Sequence, residues 1–411
     1  MIEMKNSGIE WIGEIPAAWQ VSKIKYFFDC LDGKRVPVDA GERISGPYPY
    51  WGAGSVTDYV NDYLFDEELI LLGEDGAPFF DYTRPVAFLV NEKIWVNNHI
   101  HVLKPHRSVC PSYLVHYLNN VDYKTYINGS ILNKLTQSNM NTIAFVVPPY
   151  EEQVRIAAFL DRKCTEIDAV IERTKATIEE YKKLKQSIIT EAVTKGIRGD
   201  RPMKDSGIAW VGEFPSEWED ANPKALFLQR KDKAKPGERQ LTASQQHGVI
   251  YQDEYMSLTG SKVVTVEKDF DILKHVEAGD FVISMRSFQG GLEYSTKSGS
   301  ISSAYVMLIP NLGLVFPRFF RWLLKSPVYI RALQSTSNMV RDGQAMRYSN
   351  FAQVRLYTVP MEEQKEIADY LDLKCAEIDA LIEKKTALLA EMEAYKKSVI
   401  YEYVTGKKEV K

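Results

Sequence analysis

The stretch from Pro149 to Glu172, PYEEQVRIAAFLDRKCTEIDAVIE, decides the fold, because it returns as PMEEQKEIADYLDLKCAEIDALIE from Pro360 to Glu383 with 16 of 24 positions identical. After Pro149 the acidic pair Glu151 and Glu152 marks a helix start, since proline suits a first turn and carboxylates complement the helix dipole. From there Cys164, Ile167, Ile171, Thr174, Ile178 and Tyr181 recur at steps of three and four. Cys375, Ile378, Ile382, Leu389 and Met392 repeat the pattern, interrupted by Lys385. That spacing is a heptad seam on each helix. Val170 and Leu184 on one copy, and Leu381, Leu388 and Tyr395 on the other, are expected to widen the apolar face. Gly196 and Gly406 stand where a helix-terminating glycine belongs.

A lone amphipathic helix is usually one wall of a globular core. Two equivalent helices of roughly 40 residues with matching seams are instead expected to pair with each other. Only the short polar stretch from Ile197 to Met203 separates the first helix from the second half of the chain, so the second helix is expected to run back antiparallel. At 1.5 Å per residue, ~30 paired residues span about 45 Å. Half-sites read by a dimer from one face of duplex DNA lie ~34 Å apart.

A second repeat precedes the first. KNSGIEWIGEIPAAW, Lys5 to Trp19, recurs as KDSGIAWVGEFPSEW, Lys204 to Trp218, with 9 of 15 positions identical. The stretches between the repeats, Gln20 to Pro148 and Glu219 to Val359, look almost unrelated. The chain repeats a scaffold and varies what the scaffold carries. The reading divides it into a first variable domain over 1–148 with its lead-in at 5–19, and a helix over 149–197. A second variable domain follows over 198–359 with its lead-in at 204–218, and a second helix over 360–411.

A chain of 411 residues can bury more than one core. Its four cysteines form no Cys-x-x-Cys pair, and Cys164 and Cys375, at matching repeat positions, read as small buried side chains. No apolar run approaches the ~20 residues that span a bilayer, and Met1 opens no signal-peptide pattern, so a cytoplasmic protein is expected. The net charge of −4 hides an asymmetry. The first variable stretch holds 11 Lys+Arg against 14 Asp+Glu, a net −3, and the second 18 against 13, a net +5. A mildly basic second domain is compatible with phosphate contacts.

Both variable stretches read as mixed α/β. Leu69 to Leu72, Val86 to Val90 and Ile94 to Val96 look like strands and Tyr113 to Leu118 like a helix. In the second stretch Phe281 to Met285 and Ala304 to Ile309 look like strands, followed by a helix over Phe316 to Leu324. Polar loops between them carry candidate DNA contacts: Arg84, Asn97, Asn98, His99, His101 and Lys134 in the first domain. In the second they are Arg286, Ser287, Gln289, Arg341, Gln344, Arg347 and Tyr348. Arg reads guanine and Asn or Gln reads adenine through paired hydrogen bonds, and backbone amides at Gly290, Gly291 and Gly343 suit phosphates. The run Asn97-Asn98-His99-Ile100-His101 is also open to metal binding, although capping and core hydrogen bonding are commoner. The aromatic run from Gly46 to Gly52 suits either base stacking or packing beside a turn. No nucleotide-binding loop, zinc-protease motif or hydrolase triad is present. Glu74, Asp75 and Asp81 lie close in sequence but lack a matching lysine, so neither a catalytic centre nor a metal site is assigned.

These repeated segments, with variable domains between them, resemble the specificity subunit of Type I restriction-modification systems. The resemblance rests on Ser-Gly-Ile-x-Trp-x-Gly-Glu-x-Pro-x-x-Trp at Ser7 and Ser206, Pro-x-Glu-Glu-Gln at Pro149 and Pro360, and Glu-Ile-Asp-Ala at Glu166 and Glu377. ILLGEDGAP (Ile70 to Pro78) with WVNNHIHVLKP (Trp95 to Pro105) is similar to one class of target-recognition domain. FVISMRSFQGG (Phe281 to Gly291) with SSAYVMLIP (Ser302 to Pro310) is similar to another. The resemblance implies two α/β (α+β) target-recognition domains, spaced by two long α-helices forming an antiparallel coiled coil, in an internal pseudo-two-fold repeat. It implies a non-catalytic chain that reads one half of a bipartite double-stranded DNA site with each domain. Partners would be two modification subunits, which carry S-adenosylmethionine, and restriction subunits, which use ATP and Mg. A standalone nuclease with duplicated domains and a protein-only coiled-coil scaffold are the competing readings. The bases recognised and the gap between them are not legible, because donors on loops have no register.

Overall fold

The heptad residues are where two long helices, Tyr150–Lys195 and Met361–Val404, bury side chains. The computed structural model describes residues 3–127, 133–263, 265, 272–284, 287–336 and 347–410. The chain forms two compact units, Met1–Ala176 with Lys385–Lys411, and Thr177–Lys384, so each long helix contributes one part to each unit.

In the first unit the helices pair antiparallel. The Phe159 and Tyr403 rings lie 4.4 Å apart, and Lys396 Nζ donates to both carboxylate oxygens of Asp168 at 2.7 Å. Ile156 and Leu160 share a core with Val399 and Val404. The second unit repeats the arrangement, with Lys185 Nζ donating to Asp379 Oδ2 at 2.6 Å and Ala192 and Val193 sharing a core with Ile367 and Leu371. The seam residues Cys164, Ile167, Ile171, Ile178, Cys375 and Ile378 are buried, and Tyr181, Ile382, Leu389 and Met392 are half-buried. Burying an aliphatic side chain is worth about 1.5–3 kcal/mol, whereas half-exposed ion pairs such as Asp168–Lys396 add about 0–1 kcal/mol, so the seam holds the pair together. The flanking stripe departs from expectation except at Leu388, which is half-buried. Val170, Leu184, Leu381 and Tyr395 stay 41%, 48%, 42% and 46% exposed, because each helix of a pair turns only one stripe toward its partner.

The repeated motifs build the same joint in each unit. Each lead-in is a hairpin, Met4–Asn6 against Glu14–Pro16 and Met203–Asp205 against Glu213–Pro215. Its serine closes the turn, Ser7 Oγ donating to Gly13 O at 2.5 Å and Ser206 Oγ to Gly212 O at 2.5 Å. The closing tryptophan then reaches the second glutamate of Pro-x-Glu-Glu-Gln: Trp19 Nε1 donates to Glu152 Oε2 at 3.0 Å, and Trp218 Nε1 to Glu363 Oε2 at 3.1 Å. The glutamine ties in the variable domain. Gln153 donates to Pro148 O at 2.9 Å and accepts from Cys110 N at 2.9 Å, just before the helix Pro111–Leu118. Gln364 donates to Val359 O at 2.8 Å and accepts from Phe316 N at 2.7 Å, just before the helix Pro317–Leu323. Such bonds satisfy backbone groups that a helix start leaves open. Beyond the long helices Gly196 and Gly406 take φ of 75° and 71°, and a Cβ at Gly406 would sit 2.3 Å from Pro16 Cδ.

The variable domains hang on these joints. Among the described residues the first contains two four-stranded sheets. One orders Val56–Val60, Ser45–Trp51, Lys93–Val96 and Phe65–Asp66; the other orders Phe28–Cys30, Ile100–Pro105, Leu69–Gly73 and Ala87–Val90. The second has, among the described residues, one, ordering Phe227–Arg230, Val306–Pro310, Phe281–Ile283 and Glu293–Tyr294. All the strands and helices read from the variable stretches are present within a few residues, although Met285 lies outside the described residues. The aromatic run resolves as packing: Tyr50 and Trp51 are buried on the strand Ser45–Trp51. Among the described residues no helix is long and apolar enough to cross a membrane.

Candidate nucleic-acid interface

Strand pairing in the first variable domain gathers polar residues that are far apart in sequence. Ile100–Pro105 lies between Phe28–Cys30 and Leu69–Gly73, so the turns beyond these strands, at Asp32, Glu74 and Asn97 to His99, converge. The bridge between Asp75 and Lys134 brings in a fourth segment.

The cluster has an inner acidic layer and an outer layer of donors. Arg35 Nη1 donates to Glu74 Oε2 at 2.6 Å and to Ile100 O at 3.0 Å. Lys134 Nζ lies 3.3 Å from Glu74 Oε1 and 3.4 Å from Asp75 Oδ2, and the hydrogen bond to Glu74 holds its ammonium above the usual lysine range. His99 Nδ1 lies 2.5 Å from Asp75 Oδ1. The carboxylates are recessed, Glu74 at 12% and Asp75 at 14% side-chain exposure, while His99 and Lys134 stand out at 51% and 46%. Anionic groups neutralised from beneath, with donors outermost, suit a surface that meets phosphates and base edges.

His101 separates from His99. It is buried, with Nδ1 2.6 Å from Asp32 Oδ2 and Nε2 2.8 Å from Leu135 O. Burial alone would raise the Asp32 carboxyl, but the hydrogen bonds from His101 and from Val102 N–H, with Arg35 nearby, hold it below the usual range. Ligand atoms of Cys30, Asp32 and His101 fall within 4.8 Å of one another. Both ring nitrogens of that histidine already meet oxygen, and burial pushes the Cys30 thiol up to about 11, so the three serve as a hydrogen-bonded brace.

The remaining candidates of the first domain differ in freedom. Asn97 is half-buried and its side-chain oxygen accepts from His99 N at 2.8 Å. Asn98 is exposed, and no hydrogen bond or ion pair of its side chain exists among the described residues. Arg84 is exposed on a turn, its backbone N–H donating to Asp81 O at 3.1 Å, and lines a cleft of about 650 Å³ with Tyr82, His116 and Lys397.

In the second domain Arg286, Arg341 and Gln344 lie outside the described residues. Ser287 is fully buried and its Oγ accepts from Ser284 N at 2.9 Å. Tyr348 is half-buried, and its hydroxyl donates to Phe227 O at 3.3 Å. These two side chains are engaged inside the fold. Gln289 and Arg347 are exposed, the latter at the start of the helix Tyr348–Gln353. The charged groups built into this domain were absent from the sequence reading. Arg230 grips Asp280 through two bonds of 2.6 and 2.9 Å, which holds the guanidinium above its usual range. Buried Glu293 takes Lys325 at 2.6 Å, yet desolvation still raises its carboxyl. Partners so far apart in sequence leave no local signal.

Comparison with known proteins places this arrangement. Residues 16–180 match the family described as Type I restriction modification DNA specificity domain. A protein of Haemophilus influenzae named as a type I restriction enzyme specificity subunit is 33% identical over 131 residues, 32% of this chain and 34% of that protein. The type I restriction enzyme MjaVIII specificity subunit of Methanocaldococcus jannaschii is 22% identical over 431 residues, covering 97% of this chain and 94% of its own. Over residues 16–180 the chain is thus similar to Type I restriction-modification DNA specificity domains. The fold is shared with a chain from a structure of the type I R-M system, with a TM-score of 0.66 and 15% identity over 96% of this chain and 99% of that one. The doubled joint stands beside that likeness: two copies of one frame present two differently built domains.

Proposed function

We propose that this chain is the non-catalytic DNA-specificity subunit of a Type I restriction-modification complex. Each variable domain reads one half of a bipartite duplex site, the long helices set the gap, and modification subunits dock on the frame. S-adenosylmethionine belongs to those modification subunits, ATP and Mg to the restriction subunits, and the assembly works in the cytoplasm.

The observation that carries this reading is the paired joint. Trp19 with Glu152 and Gln153, and Trp218 with Glu363 and Gln364, hold two unrelated domains by the same bonds. A frame maintained twice around divergent contents is what two independent recognitions by one assembly require. The exposed Val170 and Leu184, at the repeat positions of Leu381 and Tyr395, support docking of two like partners, because equivalent apolar positions are left uncovered in both copies.

Exchange of Gln20 to Pro148 for another such domain, followed by mapping of methylated adenines in cells carrying the whole system, tests the proposal. One half of the methylated motif changes and the other stays. A change in both halves, or in neither, refutes it. Incubation of the purified chain with DNA and divalent metal yields no cleavage; cleavage would instead favour the nuclease reading.

A further inference from the structure

We infer that Asn98 is the adenine-reading residue of the first variable domain, an assignment that rests on the DNA-specificity reading above. Among the candidate contacts of that domain, Asn97, His99, His101 and Lys134 are all engaged by neighbours within the cluster. Asn98, between two of them, keeps its amide free among the described residues.

Its backbone is fixed from both sides. Asn97 N–H donates to Trp51 O at 3.2 Å, and Glu74 N–H donates to His99 O at 3.0 Å. His99 N–H returns to the Asn97 side chain at 2.8 Å, and the His99 ring is held by Asp75. Two chain segments, at Trp51 and at Glu74–Asp75, thus pin the residues on either side of one exposed carboxamide. A carboxamide offers a donor and an acceptor side by side, the complement of adenine N6 and N7 in the major groove. Because the fold has already ordered the turn, little entropy is lost when the contact forms, so the pair discriminates at close to its full strength. Lys134, bonded to the Asp75 that holds His99, supplies a cation beside the turn for a neighbouring phosphate. Arg84 and Gln289 are also exposed. Arg84 sits on a turn with one backbone bond to Asp81, and Gln289 belongs to the other domain.

The test uses the assembled complex of this chain with its modification subunits. The cognate motif is first taken from the methylated adenines of the host. Binding is then measured to that duplex, to a scrambled duplex, and to duplexes in which each adenine of the half-site read by residues 20–148 is replaced singly by 7-deazaadenine, which lacks the N7 acceptor. With the natural chain, one such replacement weakens binding on the order of tenfold or more. In the Asn98→Ala complex the same replacement has less than a twofold effect, while penalties at all other positions are unchanged and the melting temperature is that of the natural chain. If no adenine shows a penalty that depends on residue 98, the inference is overturned and the specificity reading stands. If the natural complex does not distinguish cognate from scrambled duplex, the specificity reading itself falls.

Discussion

Trp218 donates its indole N–H to Glu363 at 3.1 Å, and the same carboxylate, 1% exposed, lies 2.5 Å from Arg201 Nη2. Glu152 meets Trp19 in the same way but is only half-buried. Glu363→Ala therefore removes the indole's acceptor and the nearest counter-ion of Arg201, which keeps Lys195 O at 2.9 Å and Glu217 at 3.6 Å, at a cost of about 2–3 kcal/mol. Glu152→Ala costs about 1 kcal/mol. Chaotrope unfolding followed by tryptophan fluorescence separates the two variants, and equal losses would contradict the asymmetry.

Gly406 combines a φ of 71° with a prospective Cβ 2.3 Å from Pro16 Cδ. Gly406→Ala is expected to cost about 1–3 kcal/mol, the range of a strained left-handed residue. Gly199, where an added Cβ meets nothing within 4 Å, provides the control. Gly199→Ala stays within about 0.5 kcal/mol of the natural chain. Thermal melting of both variants checks the contrast.

Acid sensitivity follows from three carboxylates held below their ordinary value of 3.8. Burial would raise Asp32, but its bond from His101 prevails. Asp161 is lowered chiefly by its bond from His116. Asp372 is raised by burial yet lowered further by Arg318 and Trp322. A carboxyl whose folded pKa is depressed contributes stability above its unfolded value, and loses it as pH falls through the folded one. The contribution of these groups is thus complete at neutral pH and disappears below about pH 4. Circular dichroism in chaotrope at stepped pH should show stability falling in that window, and the fall should be shallower in Asp32→Asn.

Inserting one heptad after Thr174 and another after Leu389 lengthens both helices by about 10 Å while keeping the seam in phase. The methylated half-sites are expected to remain and the gap between them to grow by about three base pairs. Unchanged spacing in the methylated motif counts against the helices as the ruler.

The frame was legible because its information is local or repeated. A heptad seam needs only neighbours at three and four residues, and two copies of Pro-x-Glu-Glu-Gln announce one joint made twice. The width of the apolar stripe was overestimated, because composition does not say that Val170 and Leu381 face away from the partner helix. The candidate interface was legible only as a set of donors. Asp32 meets His101 because Phe28–Cys30 pairs with Leu103 to Pro105, a register that alternation in the sequence cannot supply. The lysine missing beside Glu74 and Asp75 in the linear reading is Lys134, about sixty residues on, and it serves there as a counter-ion within a braced cluster.

The division of the long helices between the units fixes an order of assembly. During synthesis Thr177–Lys384 is made before Lys385–Lys411 emerges, and that later segment supplies Val399, Tyr403 and Val404 to the core begun by residues made before Thr177. The unit opened before the other is thus closed after it. Until then the apolar wall formed by residues such as Ile156 and Leu160 lacks the side chains that cover it, so a chain broken off before Lys385 leaves the earlier unit open while the later one is whole.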